Sequence, residues 1–328
     1  MRKLPVFFTA VLCMLLVNCT GQTKNKPMSN TNPLLCDPAT GVCEIPSTQD
    51  SHITAKTATG QKPVKLVYFT DPICSSCWGI EPQLRKLKLE YGQDVEIEYH
   101  MGGLLPDWSY NSGGISKPSD VAHHWDEVSA YYNMPIDGDV WLEDPLDSSY
   151  PPSIAFMAAQ YQDKEKAVKF LRQMREMVFL QKKNIAKWEH IATAATQAGL
   201  DAVQLKADYE RATIAFKEDL QYARKMGVRG FPTVFVTSGD QPPTMVYGFK
   251  PYQAFEQGIQ KMHPTASKAA YVKDWPQLFA VYPTMTTREF AELSEISLVD
   301  AEKVLRGLLE EKAISMYSSK NGVMWMKK

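Results

Sequence analysis

"FTDPICSSCWGIEPQLRKLKLEYG", residues 69–92, places Cys74 and Cys77 between an apolar run and a segment of helical spacing. The run before it, "VKLVYF" (Val64 to Phe69), is compact, apolar and carries Val, Tyr and Phe, so it reads as a buried strand. After the cysteines, Ile80, Leu84, Leu87 and Tyr91 recur at helical spacing. Next, "DVEIEYHMGGL" alternates Val95, Ile97, Tyr99 and Met101 with charged or polar neighbours, the pattern of a second strand. Strand, helix, strand with a crossover is the unit that builds a parallel pair.

Cys74 at a helix start meets unpaired backbone N–H groups and the positive end of the helix dipole, and both stabilise a thiolate. The spacing puts Cys77 one turn on, within reach of a mixed disulfide at Cys74. This predicts an exposed, attacking Cys74 and a buried, resolving Cys77. The same spacing also serves zinc, for which Cys36 and Cys43 could supply two further ligands, or a static disulfide. Asp71 and Glu81 flank the pair as candidate proton acceptors or as solvated charges. Trp78, directly after Cys77, reads either as a substrate-groove residue or as a core aromatic.

Working outward, "PTVFVT" (Pro232 to Thr237) and "TMVYGF" are strands, and "YQAFEQGIQKM" is a helix. Between the two halves, residues 107–150 read as loop-rich and 151–226 as helical, with "MREMVFL" placing Met174, Met177 and Val178 on a core face. The expected class is therefore α/β: a thioredoxin fold over residues 63–264 with a helical insertion at about 107–226. "HHWDE" (His123 to Glu127) lacks metal-ligand spacing, so no metal site is assigned there. Over residues 265–328, two helices broken near Ile296 and a hairpin turning at Asn321-Gly322 resemble a winged-helix module.

The ends and composition bound the function. The 328 residues carry a net charge of −1, which offers no basic stripe for nucleic acid. The six cysteines are too few to build a disulfide scaffold, so a hydrophobic core must hold the fold. "MRKLPVFFTAVLCMLLVNCTG" reads as an export signal, with a charged start and a short apolar core. Its "LVNC" resembles a bacterial lipobox, in which Cys19 would be lipidated, although Asn18 departs from the usual small residue. Residues 20–62 are polar and read as a flexible tether. Within it, "CDPATGVCEIP" has turn signals between Cys36 and Cys43 that let them pair locally, as an auxiliary redox pair or as a static staple.

The stretch "GVRGFPTVFV" (Gly227 to Val236) looks like the thioredoxin segment whose cis-proline faces the redox pair. Together with "DPICSSCWGIEPQLRKLKLEYG", "GGLLPDW", "SSYPPSIAFMAAQ" and "FLRQMREMVFLQKKNI", it resembles the DsbA-like branch that holds FrnE-type oxidoreductases and the adaptor of the ClpXP protease. The resemblance covers about residues 65–262. It implies a DsbA-like fold, Cys74 and Cys77 in the redox positions and Pro232 in the cis-proline position. It further implies that Phe231 offers backbone groups to a substrate peptide. No cofactor beyond the redox-active disulfide is called for. The expected function is disulfide exchange with exported cysteine-containing proteins and a redox partner, on the periplasmic side of a membrane held through a lipid anchor. The alternative is a non-catalytic binding or adaptor protein that uses the peptide groove or the C-terminal module. A glutathione-using isomerase of the related kind commonly has serine where Cys74 stands, which argues against that reading.

Overall fold

Seven residues, Val64–Thr70, form a strand that is apolar on both faces and buried along almost its whole length, as expected of a strand covered on both sides. The computed structural model describes residues 36–37, 41–44, 62–109 and 116–328. In chain order its strands are β1 (Cys36–Asp37), β2 (Val42–Glu44), β3 (Val64–Thr70), β4 (Val95–Met101), β5 (Gly230–Phe231), β6 (Thr233–Thr237), β7 (Thr244–Tyr247), β8 (Thr284–Thr286), β9 (Ile314–Ser319) and β10 (Gly322–Lys327). The central sheet runs β4-β3-β6-β7, with β3 parallel to β4 and antiparallel to β6. In register, Leu66 faces Ile97 on one side and Val236 on the other.

The crossover from β3 to β4 is α1 (Ser75–Gly79) followed by α2 (Glu81–Tyr91). The break falls at Ile80, and Pro82 sits in the first turn of α2, where its missing N–H costs no helical bond. Among the described residues seven helices fill the insertion: α3 (Pro118–Tyr132), α4 (Val140–Glu143), α5 (Tyr150–Gln162), α6 (Lys164–Leu180), α7 (Trp188–Gln197), α8 (Ala202–Ala207) and α9 (Tyr209–Lys225). Met174, Met177 and Val178 of α6 are all buried. The region read as loop-rich thus contains a fifteen-residue helix, α3. Its buried Val121, Trp125, Val128 and Tyr132 lie on one face, and the outward His123, Asp126 and Glu127 dilute that signal in the sequence.

After α10 (Tyr252–Met262) come α11 (Trp275–Val281), α12 (Thr287–Ser294) and α13 (Leu298–Glu310), with a sheet ordered β8-β10-β9. Leu278, Phe279, Met285, Phe290, Leu305 and Trp325 pack there as a second core. Thr286 and Glu289 cap α12 reciprocally. Glu289, fully buried, also accepts from Arg172 Nη1 at 2.6 Å and Nη2 at 3.0 Å, and it lies 3.2 Å from Arg85 Nη1. Arg288 Nη1 donates to Gly79 O at 3.0 Å and Tyr132 O at 2.6 Å. These charged groups of α12 fix the C-terminal elements directly behind the helix that carries the cysteine pair.

Candidate active site

Cys74 occupies the N-cap of α1, and its Sγ accepts from the backbone N–H of Cys77 at 3.2 Å. Both thiols are free, and neither sulfur-bearing side chain touches solvent. The expected exposure of Cys74 is therefore corrected, and the cover is β2. That strand pairs antiparallel with β5, Cys43 opposite Phe231 and Glu44 opposite Gly230. Cys43 is itself disulfide-bonded, and its Sγ lies 3.2 Å from Cys74 Sγ, which donates toward it. Ser76 Oγ stands 3.5 Å from the same sulfur and shares a 2.6 Å hydrogen bond with Tyr132 OH. The described parts of the expected tether, residues 36–37 and 41–44, are thus a hairpin docked on the site. Cys19 and most of residues 20–62 lie outside the described residues.

Two loops shape the opposite wall. The Phe231–Pro232 peptide is cis. Gly102, at the end of β4, lets the Phe231 ring approach so closely that a Cβ there would meet its Cζ at 1.8 Å. The wall is held by backbone and ring contacts, so it offers β2 an ordered strand edge, the β-augmentation mode of peptide recognition.

Beneath the cysteines lie charges taken out of water. Arg175 of α6 is fully buried; Nη2 donates to Thr70 Oγ1 at 2.6 Å and to Asp71 O at 3.3 Å, and Nη1 pairs with Glu81. Asp71 accepts from Leu104 N at 2.7 Å, Ser149 Oγ at 2.8 Å and Ile73 N at 3.0 Å. Burial raises its carboxyl to about 6, against the pull of these donors and of Arg175. Asp71 is accordingly no solvated charge. Sequence reasoning missed Arg175, although an arginine among Leu171, Met174 and Val178 on an apolar helix face is a readable anomaly.

The thiol electrostatics invert the expected order. Burial, then the neighbouring Cys77, pushes the Cys74 thiol well up, and only the Cys77 N–H favours its thiolate. For Cys77 burial acts the same way. It is outweighed by the hydrogen bond from Cys74, the Arg175 guanidinium and the Thr70 and Tyr68 hydroxyls, so that Cys77 is lowered. With β2 in place the thiolate is favoured on Cys77 and the proton on Cys74.

Of the two readings left open for Trp78, substrate groove and core aromatic, the structure shows the core aromatic. It is fully buried, stacks on Phe179 at 5.5 Å, lies under the Arg172 guanidinium and donates Nε1–H to Pro135 O at 3.1 Å. Zinc at Cys36, Cys43, Cys74 and Cys77 is disfavoured because a disulfide-bonded Cys43 offers no thiolate. Among the described residues no three His, Cys, Asp or Glu groups converge on a possible metal position.

A helix-start cysteine pair, a cis-proline just before β6 and a four-stranded mixed sheet agree with the family comparison, in which a model described as thioredoxin matches residues 68–257. The chain belongs to the thioredoxin family. Among curated relatives, the ClpXP adapter protein SpxH of Halalkalibacterium halodurans is 33% identical over 90% of this chain and 97% of its own length. The ClpXP adapter protein SpxH of Bacillus subtilis is 28% identical over 81% of this chain and 89% of its own. A solved structure from Nitrosomonas europaea, described as a candidate protein disulfide isomerase, superposes with a TM-score of 0.53 at 21% identity. It covers 61% of this chain and 97% of that one, and shares the fold. The family placement accounts for β3 to β7 with the helices between them, and the relatives named SpxH extend over most of the remaining chain.

Proposed function

We propose that this protein is a thiol-disulfide oxidoreductase that exchanges disulfides with cysteine-containing proteins through a mixed disulfide at Cys74. The observation that carries this reading is a free Cys74–Cys77 pair at the start of α1, set against the strand edge of Phe231. Disulfide exchange needs a thiolate, an electrophilic sulfur within reach and a second thiol to resolve the intermediate. Here Arg175 supplies the cationic field, the edge of β5 that β2 now occupies would align an incoming strand once β2 gives way, and Cys77 lies one turn from Cys74. The stretch that reads as an export signal and the lipobox-like Cys19 are the grounds for placing the reaction on the periplasmic side of a bacterial membrane, with exported proteins as substrates. Phe231 and Pro232 would hold the substrate backbone.

The second reading is an adaptor that holds a protein partner without turnover, favoured by relatives named ClpXP adapter protein over nearly their full length. Against it stands the first stretch of the chain, which reads as an export signal and would carry the protein away from a partner inside the cell. The two are separated by Cys36→Ser/Cys43→Ser/Cys77→Ser, in which a mixed disulfide at Cys74 has no internal thiol to resolve it and no hairpin sulfur to compete for it. Incubated with an oxidised cysteine-containing protein, this variant should give adducts on non-reducing gels that vanish with reductant. A single unadducted band would favour the adaptor.

A further inference from the structure

Five described features converge on one sulfur. Cys43 is disulfide-bonded, while Cys74 and Cys77 are free. The Cys43 and Cys74 sulfurs are 3.2 Å apart, inside the separation of about 3–3.5 Å at which reacting atoms are poised. Cys43 reaches that place as a strand added to β5, the way a peptide substrate would be held. The strand is also anchored from its turn: Phe249 N donates to Gly41 O at 2.6 Å. Gly41 has a φ of +65°, and a Cβ there would meet Phe249 Cβ at 2.3 Å. Only glycine fits that approach without displacing the hairpin. Cys36 stands opposite Cys43 in the β1–β2 register, the position from which it can close the disulfide.

We infer that the Cys36–Cys43 disulfide is the resident disulfide partner of Cys74, so that the hairpin passes electrons to and from the active site. This rests on the oxidoreductase reading above and specifies its first exchange partner. In the forward direction a Cys74 thiolate attacks Cys43 Sγ. The Cys74–Cys43 bond forms as the Cys43–Cys36 bond breaks, and Cys36 leaves as a thiolate that takes up the proton Cys74 released. Cys77 thiolate then attacks Cys74 Sγ. A Cys74–Cys77 disulfide forms, and Cys43 leaves as a thiolate that takes up the proton from Cys77. Two electrons move from the Cys74–Cys77 dithiol to the Cys36–Cys43 disulfide, and no outside oxidant enters the step. Cys77 as the favoured thiolate suits its resolving role. Because β2 seals Cys74 from solvent, the sulfur nearest to hand belongs to the hairpin and not to an outside chain.

The test uses the full chain carrying Cys77→Ser, quenched in acid, digested without reductant and analysed by mass spectrometry. The expected product is a peptide linked Cys43 to Cys74 with Cys36 as a free thiol, in a yield unchanged on dilution because the exchange is internal. Adding Gly41→Val, which displaces the hairpin and leaves the other cysteines in place, should lower that yield severalfold. Recovery of only Cys36–Cys43-linked peptide, with Cys74 as a free thiol, would overturn the inference. Insulin reduction by Cys36→Ser/Cys43→Ser is measured in parallel. Continued insulin reduction without the internal link sinks the relay and leaves the oxidoreductase reading standing. The internal link without insulin reduction by the parent does the reverse.

Discussion

Replacing Asp71 by Asn should flatten one part of the protein's stability profile with pH, by an amount the structure sets. The carboxyl is fully buried and is raised from 3.8 to about 6, mainly by loss of water. An acid whose folded value is raised binds its proton more tightly in the native state. Its charge therefore costs nothing below the unfolded value, costs progressively more as pH rises, and costs its full amount above the folded value. A displacement from 3.8 to about 6 corresponds to about 3 kcal/mol. Most of it, about 2–3 kcal/mol, develops between pH 4 and pH 8. Asn keeps the shape and removes the charge, but it presents an amide N–H₂ toward donors such as Leu104 N and Ser149 Oγ. Leaving such a donor unpaired costs about 1–3 kcal/mol at every pH. The variant should thus be the less stable form at pH 4, and the gap should close or reverse by pH 8. Urea unfolding of both proteins across this range, compared as a difference at each pH, isolates Asp71 from every other titrating group. Parallel profiles would refute the reasoning, because they would mean that Asp71 ionises alike in the folded and unfolded chains.

Three other perturbations test separate parts of the structure. His100 sits between Asp219 at 2.7 Å and Glu98 at 2.9 Å, and these bonds outweigh burial to raise it to about 9. Its contribution of about 3 kcal/mol should be complete below pH 6.5 and lost as pH rises through 9, and His100→Gln should remove that slope in urea titrations. Glu289→Ala leaves the Arg172 and Arg85 guanidiniums buried without their shared carboxylate, so equilibrium unfolding should show a loss of about 3–5 kcal/mol. Gly102→Ala forces the Phe231 ring away from β4 and should cost about 1–3 kcal/mol; unchanged stability would mean that this wall is soft.

How much of this could be read from residues alone depended on which force placed each element. Buried strands announce themselves by composition, so "VKLVYF" and "PTVFVT" gave β3 and β6, and the apolar spacing of Ile80, Leu84 and Leu87 gave the helix after the cysteines. The helix α3 was obscured because its polar face is dense with charge and a glycine- and serine-rich segment precedes it. Trp78 could not be assigned to groove or core, since an aromatic after a cysteine fits both. Its burial depends on Phe179 and Arg172, a hundred residues away in the chain. The meeting of Cys43 with Cys74 left no trace in the sequence, because β2 is held by backbone hydrogen bonds to Phe231 that any residues could make. What the sequence did hold was Gly41, whose role emerged only with the close approach of Phe249.

The proposed disulfide exchange with other proteins depends on Cys74. Steady-state reduction of insulin by the full chain, compared with Cys74→Ser under the same reductant, tests it most directly. The parent should turn over many equivalents of insulin and Cys74→Ser should fall to the uncatalysed rate, with Trp78→Phe retaining most of the parent rate because the Trp78 ring contacts Phe179, Arg172 and Pro135. Equal rates for the parent and Cys74→Ser would contradict the claim and leave a thioredoxin-fold protein that binds without turning over.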